Sequence, residues 1–419
     1  MKKYPVYKDS GIEWIGQVPQ DWKVNRLKTV CAFTYGDSLA NEDRIEGDIP
    51  VYGSNGIVGY HNRSITHKPC IIIGRKGSYG KVNFSETECF PIDTTYFVDA
   101  RFAKCDLRFL YYVLPLLELD KFSKDTGVPG LNREDAYNKE IPVPERKIQQ
   151  IIVKYLDHKT TQIDVLIAKK ERMIELLIEE SAAVINQAVT KGLDPKVEMK
   201  NSGIDWLGKI PKRWQTKKLK YLLNDDVGIK IGPFGSSLKA EFIRNSGYKV
   251  YGQENVIEDD FTVGYRYIDE DKFSELAVYE LIFGDVIVTM MGTTGKSKVI
   301  PEGIARGIMD SHLLRMRFNS LAVPEFVSML INDSFYIYSQ LKISSKGSIM
   351  EGLNSTIVCS LLIALPSLRE QEEILHFLTI ELRRIDHILQ KEKQGIELLK
   401  EYRTALISEV VTGKIDVRN

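Results

Sequence analysis

The sequence predicts an α+β fold. Two strand-rich globular modules are separated by two long antiparallel helices that form a coiled coil, with a pseudo-twofold internal repeat. The first observation is KDSGIEWIGQVPQDWKVNRLK at 8–28, which matches KNSGIDWLGKIPKRWQTKKLK at 200–220. The second is IPVPERKIQQIIVKYL at 141–156, which matches IALPSLREQEEILHFL at 363–378. Repeats of this length indicate one structural unit used twice.

Short strands joined by tight turns are predicted in each module. β-branched and aromatic segments alternate with Gly, Asn and Ser, as is typical of such strands. These segments are IPVYG (49–53), CIIIG (70–74), TYFVDA (95–100), KVYG (249–252) and DVIVTM (285–290). Helical patches at 107–118 and 323–341 are expected to pack on them. The predicted domain boundaries are 1–144 for module one, 145–195 for the central helix, 196–366 for module two and 367–419 for the C-terminal helix.

A long helix is predicted after Pro144 and again after Pro366. Apolar residues recur there at spacings of three, four and seven, which indicates one apolar stripe. They are Ile152, Leu156, Ile163, Ile167, Ile174, Leu177, Val184 and Ala188 in the first copy and Ile374, Leu378, Ile385, Leu389, Ile396, Leu399, Leu406 and Val410 in the second. The copies end in VTKGLD at 189–194 and VTGKID at 411–416.

The order of these repeats predicts how they meet. We call the matching segments 8–28 and 200–220 the two boxes. The box at 200–220 directly follows VTKGLD, so a pseudo-twofold relation places the box at 8–28 beside VTGKID. We therefore expect the two chain termini to lie close together and the two helices to run antiparallel.

Composition excludes several classes of protein. Five scattered cysteines favour reduced thiols over a disulfide framework. No apolar run is long enough for a membrane span, and the first residues lack the apolar core of a signal peptide. We therefore expect a cytoplasmic protein.

The net charge of +0 neither supports nor excludes nucleic-acid binding. One acid-free basic cluster is either a solvated face or a phosphate contact: Lys209, Lys212, Arg213, Lys217, Lys218 and Lys220.

Four repeated motifs in a fixed order give the chain a family resemblance. The box W-x-G-x-[VI]-P-x-x-W occurs at Trp14–Trp22 and Trp206–Trp214, and GLN precedes each helix at Gly130–Asn132 and Gly352–Asn354. The junction I-x-x-P with R-E-Q-E-E-I lies at 363–374, where the first copy departs to E-R-K-I-Q-Q-I, and each helix ends in the VTGKID-like motif. Together they resemble the specificity subunit of type I DNA restriction–modification systems.

This resemblance implies a fold, a function and partners. The modules at 1–144 and 196–366 would be target recognition domains, spaced by the paired helices. The subunit would be non-catalytic and would read an asymmetric bipartite site in double-stranded DNA, one half-site for each module. It would do so for two modification (methyltransferase) subunits, which methylate adenine, and for restriction (translocase/nuclease) subunits. It would bind no cofactor, because S-adenosylmethionine and ATP belong to those partners.

Motifs for catalysis are weak in this sequence. No Pro-Pro pair occurs, so the [ND]-P-P-[YF] motif of an adenine methyltransferase is missing. MMGTTGKS at 290–297 approaches a nucleotide-binding loop, but Met290 replaces its first Gly. Asp194, Glu198 and Lys200 spell D-x-x-x-E-x-K, for which a linker is the simpler interpretation. Dispersed histidines and unpaired cysteines do not indicate a metal site.

Polar and basic side chains on glycine-rich loops are suited to reading base edges in the major groove. In module one the candidate DNA-binding residues are Tyr52, Asn55, Tyr60, Arg63, Arg75, Lys76, Ser78, Tyr79 and Lys81. In module two they are Lys230, Ser236, Ser237, Lys239, Gln253, Asn255, Thr293, Thr294, Lys296 and Lys298.

Two alternatives stay open. The same loops could be ordinary exposed turns, and the duplicated modules could form a protein-binding scaffold without DNA contact. Phe234 is expected to pack under its loop. The repeated tryptophans are expected to be core residues or a docking face, because a residue common to both modules cannot explain two different half-sites.

Overall fold

A computed structural model describes residues 2–121, 129–204, 206–225, 227–234, 236–344 and 353–418. The chain forms two compact units: unit 1 comprises residues 1–171 and 393–419, and unit 2 comprises residues 172–392. Each unit contains one strand-rich module and one segment of each long helix. Gly352 of the second GLN motif lies outside the described residues.

Short strands make up most of the unit 1 module. They are β1 (Tyr7–Asp9), β2 (Gln17–Pro19), β3 (Lys23–Arg26), β4 (Thr34–Tyr35), β5 (Ile49–Gly53), β6 (Gly56–His61), β7 (Cys70–Gly74), β8 (Val82–Ser85), β9 (Phe90–Pro91), β10 (Thr95–Asp99) and β11 (Glu140–Val143). The helices are α1 (Leu27–Val30), α2 (Leu107–Val113), α3 (Arg133–Tyr137) and the long α4 (Arg146–Lys191), which continues into unit 2.

The unit 2 module repeats this composition. Its strands are β12 (Met199–Asn201), β13 (Lys209–Pro211), β14 (Gln215–Lys218), β15 (Ile229–Ile231), β16 (Tyr248–Tyr251), β17 (Tyr267–Ile268), β18 (Val286–Thr289), β19 (Ser297–Val299), β20 (Gly307–Met309), β21 (Leu313–Met316) and β22 (Leu362–Leu365). Its helices are α5 (Gln253–Ile257), α6 (Glu270–Glu275), α7 (Pro324–Asp333), α8 (Phe335–Ser344), α9 (Ser355–Ser360) and the long α10 (Leu368–Val411), which continues into unit 1.

The two units share one sheet topology. The main sheet has the order β4-β10-β7-β8 in unit 1 and β15-β21-β18-β19 in unit 2. The second sheet has the order β6-β5-β9 and β17-β16-β20, with its last pair parallel in both units. Two-stranded pairs β1-β2 and β3-β11 correspond to β12-β13 and β14-β22. The predicted α+β fold with an internal repeat is confirmed, and the structure shows that the repeat includes the order of the strands.

Matched glycines mark the same close approach of two backbones in each unit. A Cβ atom on Gly36 would lie 2.1 Å from the carbonyl oxygen of Ile92, and one on Gly232 would lie 1.8 Å from that of Asp310. Neither distance leaves room for any side chain, so only glycine fits at these positions. The repeat therefore extends into the variable stretches, where the sequences themselves show little similarity.

Each opening box packs against the end of a long helix, as predicted. Gly413 and Gly192 both have φ +75°. A Cβ on Gly413 would lie 3.1 Å from Trp22, and one on Gly192 would lie 3.4 Å from Trp214. Both tryptophans are buried, so they are core residues. Trp206, by contrast, is 41% exposed and stacks on Tyr336.

The N- and C-terminal segments meet in unit 1, which confirms the second topological prediction. The backbone N–H of Asp416 donates to the carbonyl oxygen of Lys2 at 2.9 Å. The Tyr7 hydroxyl donates to the carbonyl oxygen of Gly413 at 3.1 Å. The Arg418 guanidinium lies 4.4 Å from the ring centre of Tyr4.

Within each unit the two helix segments pack antiparallel. In unit 1 the beginning of α4, at Ile152 and Leu156, shares a core with the end of α10, at Leu406 and Val410. In unit 2 the end of α4 shares a core with the beginning of α10, through Ile185, Ala188, Ile374 and Leu378. The predicted apolar stripe therefore joins the helices to each other and to the modules.

A buried glutamine at the start of each long helix fixes the module to that helix. Gln149 accepts from the N–H of Asp106 at 2.7 Å and donates to Pro144 at 2.8 Å. Gln371 accepts from the N–H of Val323 at 2.8 Å and donates to Pro366 at 3.1 Å. Both glutamines connect the long helix to the residue at the N-cap position of α2 or α7. This junction holds each module in a fixed orientation relative to its helices.

The units differ most where the second sheet connects its first two strands. In unit 1 a two-residue turn, Ser54-Asn55, joins β5 to β6. In unit 2 the same connection contains α5 and the loop 258–266. The longer variable stretch of module two is thus partly accounted for by an insertion at a defined place in a common framework.

Candidate nucleic-acid interface

A glycine-lysine loop leaves the main sheet at the same point in both units. We name residues 75–81, between β7 and β8, loop 1, and residues 290–296, between β18 and β19, loop 2. The Gly74 N–H donates to Lys81 O at 2.8 Å, as that of Thr289 does to Lys296 O at 2.9 Å. The N–H groups of Gly80 and Gly295 return to Gly74 and Thr289 at 2.8 and 2.9 Å. The two loops therefore have one backbone framework.

Positive φ angles explain why glycines recur in these loops. Gly77 and Gly80 have φ of +73° and +76°, and Gly292 and Gly295 have +65° and +81°. Side chains other than glycine rarely adopt this region. The framework thus fixes the glycines and leaves the intervening side chains free to differ.

Different side chains occupy the equivalent tips. Loop 1 exposes Lys76, Ser78 and Lys81, whereas Arg75 and Tyr79 are half-buried. Loop 2 exposes Met291, Thr293, Thr294 and Lys296. The two loops leave equivalent points of their own sheets, but the tip of loop 1 is cationic and the tip of loop 2 is mostly uncharged.

The GLN motif is hydrogen-bonded to the backbone at the start of each loop. The N–H of Leu131 donates to Arg75 O at 2.8 Å, and the N–H of Leu353 donates to Met290 O at 3.2 Å. The next residue in each case, Asn132 or Asn354, caps a short helix by accepting from the backbone N–H of Glu134 or Ile357. This motif positions the loops, a role that the sequence alone did not indicate.

In unit 1 the two predicted contact segments come together. The Lys81 ammonium donates to Asn55 O at 3.0 Å and to Asn55 Oδ1 at 2.7 Å. The Ser54 hydroxyl lies 2.5 Å from Lys76 O and 3.0 Å from Thr94 O. The β5–β6 turn and loop 1 therefore form one surface with two tips.

Two further unit 1 candidates lie along β6 and just beyond it. Tyr60 is 57% exposed, beside the exposed Ile57 and Val58. Arg63 is exposed, and its guanidinium lies 5.8 Å from the ring centre of Phe90. They extend the surface along the edge strand, away from the β5–β6 turn.

Tyr52 is placed in the core and not on this surface. Its side chain is 8% exposed and packs with Cys70, Ile72 and Phe97. Burial raises the pKa of its hydroxyl. Tyr251 of unit 2 is the equivalent residue, because Ile92 and Asp310 donate to the carbonyl oxygens of Tyr52 and Tyr251 respectively. A buried residue present in both frameworks is structural, so we remove Tyr52 from the proposed contacts.

Asn255 is also buried, with 0% exposure. It accepts from the N–H of Gly252 at 2.9 Å and donates to Asp260 O and Val263 O, both at 3.0 Å. These bonds hold the loop after α5 in place, so Asn255 is removed from the proposed contacts as well. Gln253 is half-buried in the first turn of α5.

Lys298 connects that loop to the main sheet. Its ammonium lies 2.6 Å from the Asp259 carboxylate, much as Lys81 of unit 1 contacts Asn55. Nearby, burial raises the pKa of Asp333, against the opposing effect of Lys296 and Lys298. An inserted loop with its own acids thus lies where unit 1 has only a tight turn.

The remaining unit 2 candidates lie on β15 and the segment after it. Lys230 is exposed, with its ammonium 5.6 Å from the ring centre of Tyr279. Ser236 and Lys239 are exposed and Ser237 is half-buried. The segment begins at Gly232, whose N–H donates to Leu313 O, so it leaves the main sheet at the end from which loop 2 emerges.

The expectation for Phe234 is wrong. Its side chain is 76% exposed and does not pack under the loop. The sequence G-P-F-G suggested a ring folded back onto its own turn. The next turn instead closes through the backbone, with the Ser237 N–H donating to Phe234 O at 2.8 Å, and leaves the ring outside.

Local structure argues against the two catalytic motifs considered. Loop 2 runs from strand β18 into antiparallel strand β19, whereas a nucleotide-binding loop opens a helix. Glu198 of the D-x-x-x-E-x-K motif pairs with Lys212 at 2.8 Å.

No cluster of three metal-binding side chains occurs in the described ranges. Among the helices described, none combines the length and apolarity that a membrane crossing requires.

A family model for the type I restriction modification DNA specificity domain matches residues 19–176 and 211–398. The type I restriction enzyme MjaVIII specificity subunit of Methanocaldococcus jannaschii is 24% identical, over 96% of this chain and 95% of that protein. The EcoBI specificity subunit of Escherichia coli is 22% identical, over 82% of this chain and 73% of that protein.

Two solved structures share the fold. A chain from a study of assembly and conformational transition in the type I R-M system gives a TM-score of 0.68 at 13% identity, covering 95% of this chain and 99% of that one. The HsdS subunit from Thermoanaerobacter tengcongensis gives 0.55 at 14% identity, covering 95% and 98%.

Proposed function

Because this chain belongs to the family of type I restriction modification DNA specificity domains, its function is DNA sequence recognition, and we propose that its two units read the two halves of an asymmetric bipartite site. Unit 1 reads one half-site through loop 1 and the β5–β6 turn. Unit 2 reads the other through loop 2, the segment 232–239 and the insertion around α5.

One observation supports this division more than any other. The two loops have the same backbone hydrogen bonds and the same glycine conformations, yet their exposed side chains differ. A common framework supplies the same approach to DNA, and the differing tips supply different donors, acceptors and apolar groups to the base edges. A protein-binding scaffold made of two copies of one surface would have no such need for different tips on a common framework.

The partners follow from the relatives, which are specificity subunits of restriction enzymes. We propose that the chain is non-catalytic and works with two modification subunits and with restriction subunits. Those partners would carry S-adenosylmethionine and ATP, so the chain itself would need no cofactor. The repeated boxes, junctions and helices would provide two similar docking surfaces, one for each modification subunit.

Selection from random duplexes tests this proposal against the scaffold alternative. The full chain, assembled with its modification subunits, should enrich two short motifs at a fixed separation. Affinity should fall steeply with salt, because phosphate contacts release counterions. The modification subunits alone are the control. No enriched motif combined with a flat salt dependence would instead support the scaffold.

A further inference from the structure

Unit 1 contains a cationic pocket beside loop 1. It has a volume of about 320 Å³ and is lined by Tyr35, Arg75, Lys76, Arg133 and Glu134, among others. The ring centre of Tyr35 lies 5.4 Å from the guanidinium group of Arg75 and 5.2 Å from that of Arg133. Three cationic side chains against one carboxylate leave the pocket positively charged.

Arg133 has hydrogen-bonding capacity to spare. Its Nε is buried and has no hydrogen-bond partner among the described residues. Arg75 differs, because its Nε and Nη2 donate to the carbonyl oxygen of Asp93 at 3.0 and 2.7 Å. Arg75 is thus held in place by the backbone, whereas the buried Nε of Arg133 is a donor without an acceptor among the described residues.

The four equivalent positions in unit 2 carry none of this chemistry. Strand register makes Ile231 the counterpart of Tyr35, since they pair with Leu314 and Tyr96 in matching strands. Met290 is the counterpart of Arg75, because each accepts a backbone hydrogen bond from the leucine of the GLN motif. Met291 then replaces Lys76, and Ser355 replaces Arg133 directly after the capping asparagine. All four substitutions remove a cation or an aromatic ring from an unchanged framework.

We propose that Tyr35, Arg75 and Arg133 bind a phosphodiester group of the DNA backbone next to the half-site of unit 1. Guanidinium groups are suited to phosphate oxygens, the bonds to Asp93 O orient Arg75, and the Tyr35 ring lies within cation–π distance of both guanidinium groups. Lys76, at the loop tip, remains available for a base edge. Unit 1 therefore provides a salt-sensitive phosphate contact through side chains whose four counterparts in unit 2 are uncharged. This inference rests on the proposed function.

The test measures the affinity of the full complex for its cognate duplex as a function of salt. Arg133→Gln should reduce the slope of log K against log salt by about 0.9 and weaken binding about tenfold, without altering the base preferences of either half-site. Arg133→Lys, which keeps the charge, should retain the slope. The matched control is Lys104→Gln, an exposed cation beyond the opposite end of β10, which should change neither quantity.

A second arm identifies the ligand as DNA. Neutral methylphosphonate substitutions are placed one at a time along the duplex. One position near the half-site of unit 1 should reproduce the loss of slope, and combining it with Arg133→Gln should cause no further loss. An unchanged slope in Arg133→Gln, or no such position, overturns the pocket proposal while the wild-type complex still selects a bipartite motif. A wild-type complex that selects no motif contradicts the proposed function itself.

Discussion

Transferring the tip of loop 2 onto loop 1 should abolish reading of one half-site and spare the other. The variant is Lys76→Met with Ser78→Thr, which gives loop 1 the unit 2 residues at its two exposed tip positions. Each good base contact contributes about 1–3 kcal/mol of discrimination, so affinity for the cognate first half-site should fall about 10- to 100-fold. Competition binding with duplexes mutated in either half would measure this.

The framework makes this exchange conservative. Both loops close through the same backbone bonds, and the glycines with positive φ are left in place. Tyr79 is also kept, because it is half-buried and packs against the unit 1 core. The reciprocal variant, Met291→Lys with Thr293→Ser, is the matched control and should alter only the second half-site. Equal losses at both halves in either variant would contradict the assignment of one half-site to each unit.

Shortening both long helices by one heptad should shorten the spacer between the half-sites. Removing residues 168–174 of α4 and 389–395 of α10 preserves the seven-residue period of the apolar stripe. Seven residues rise about 10 Å in an α-helix, which corresponds to about three base pairs at 3.4 Å each. Affinity for the original site should fall about 100-fold or more, since one half-site can no longer be engaged.

A library of duplexes with spacers of varied length measures this shift. Inserting one heptad into each helix is the complementary variant and should lengthen the preferred spacer by a similar amount. Both variants keep loop 1 and loop 2 unchanged, so each half-site should still be read singly. Retention of the original spacer by the shortened chain would show that the helices do not set the separation.

Much of the fold could be predicted because it is encoded by local patterns that are repeated. The apolar period after Pro144 and Pro366 predicts α4 and α10, which begin at Arg146 and Leu368. Strands β5, β7 and β10 begin at the residues expected from their β-branched runs. The meeting of VTGKID with the first box followed from the order of the repeats alone. These features depend on short-range chemistry and on duplication.

The candidate site was harder to predict because it depends on contacts between distant residues. Loop 1 and loop 2 share only a few glycines and a lysine, so their equivalence emerges from hydrogen bonds to the GLN motif and from strand register. Tyr52 and Asn255 have side chains typical of DNA contacts, yet tertiary packing buries them. Arg133 was not identified, because its position beside Tyr35 requires the fold. A sequence comparison of VYG at 51–53 with VYG at 250–252 could have revealed that Tyr52 belongs to the framework.

Mapping N6-methyladenine at single-base resolution tests the central claim most directly. The chain would be produced with its modification subunits in a host that lacks other adenine methylation, and the same host without the chain is the control. The account predicts methylation at one asymmetric motif of two short halves with a constant spacer, and none without the chain. Methylation at a single uninterrupted motif, or a pattern that is independent of the chain, would contradict it.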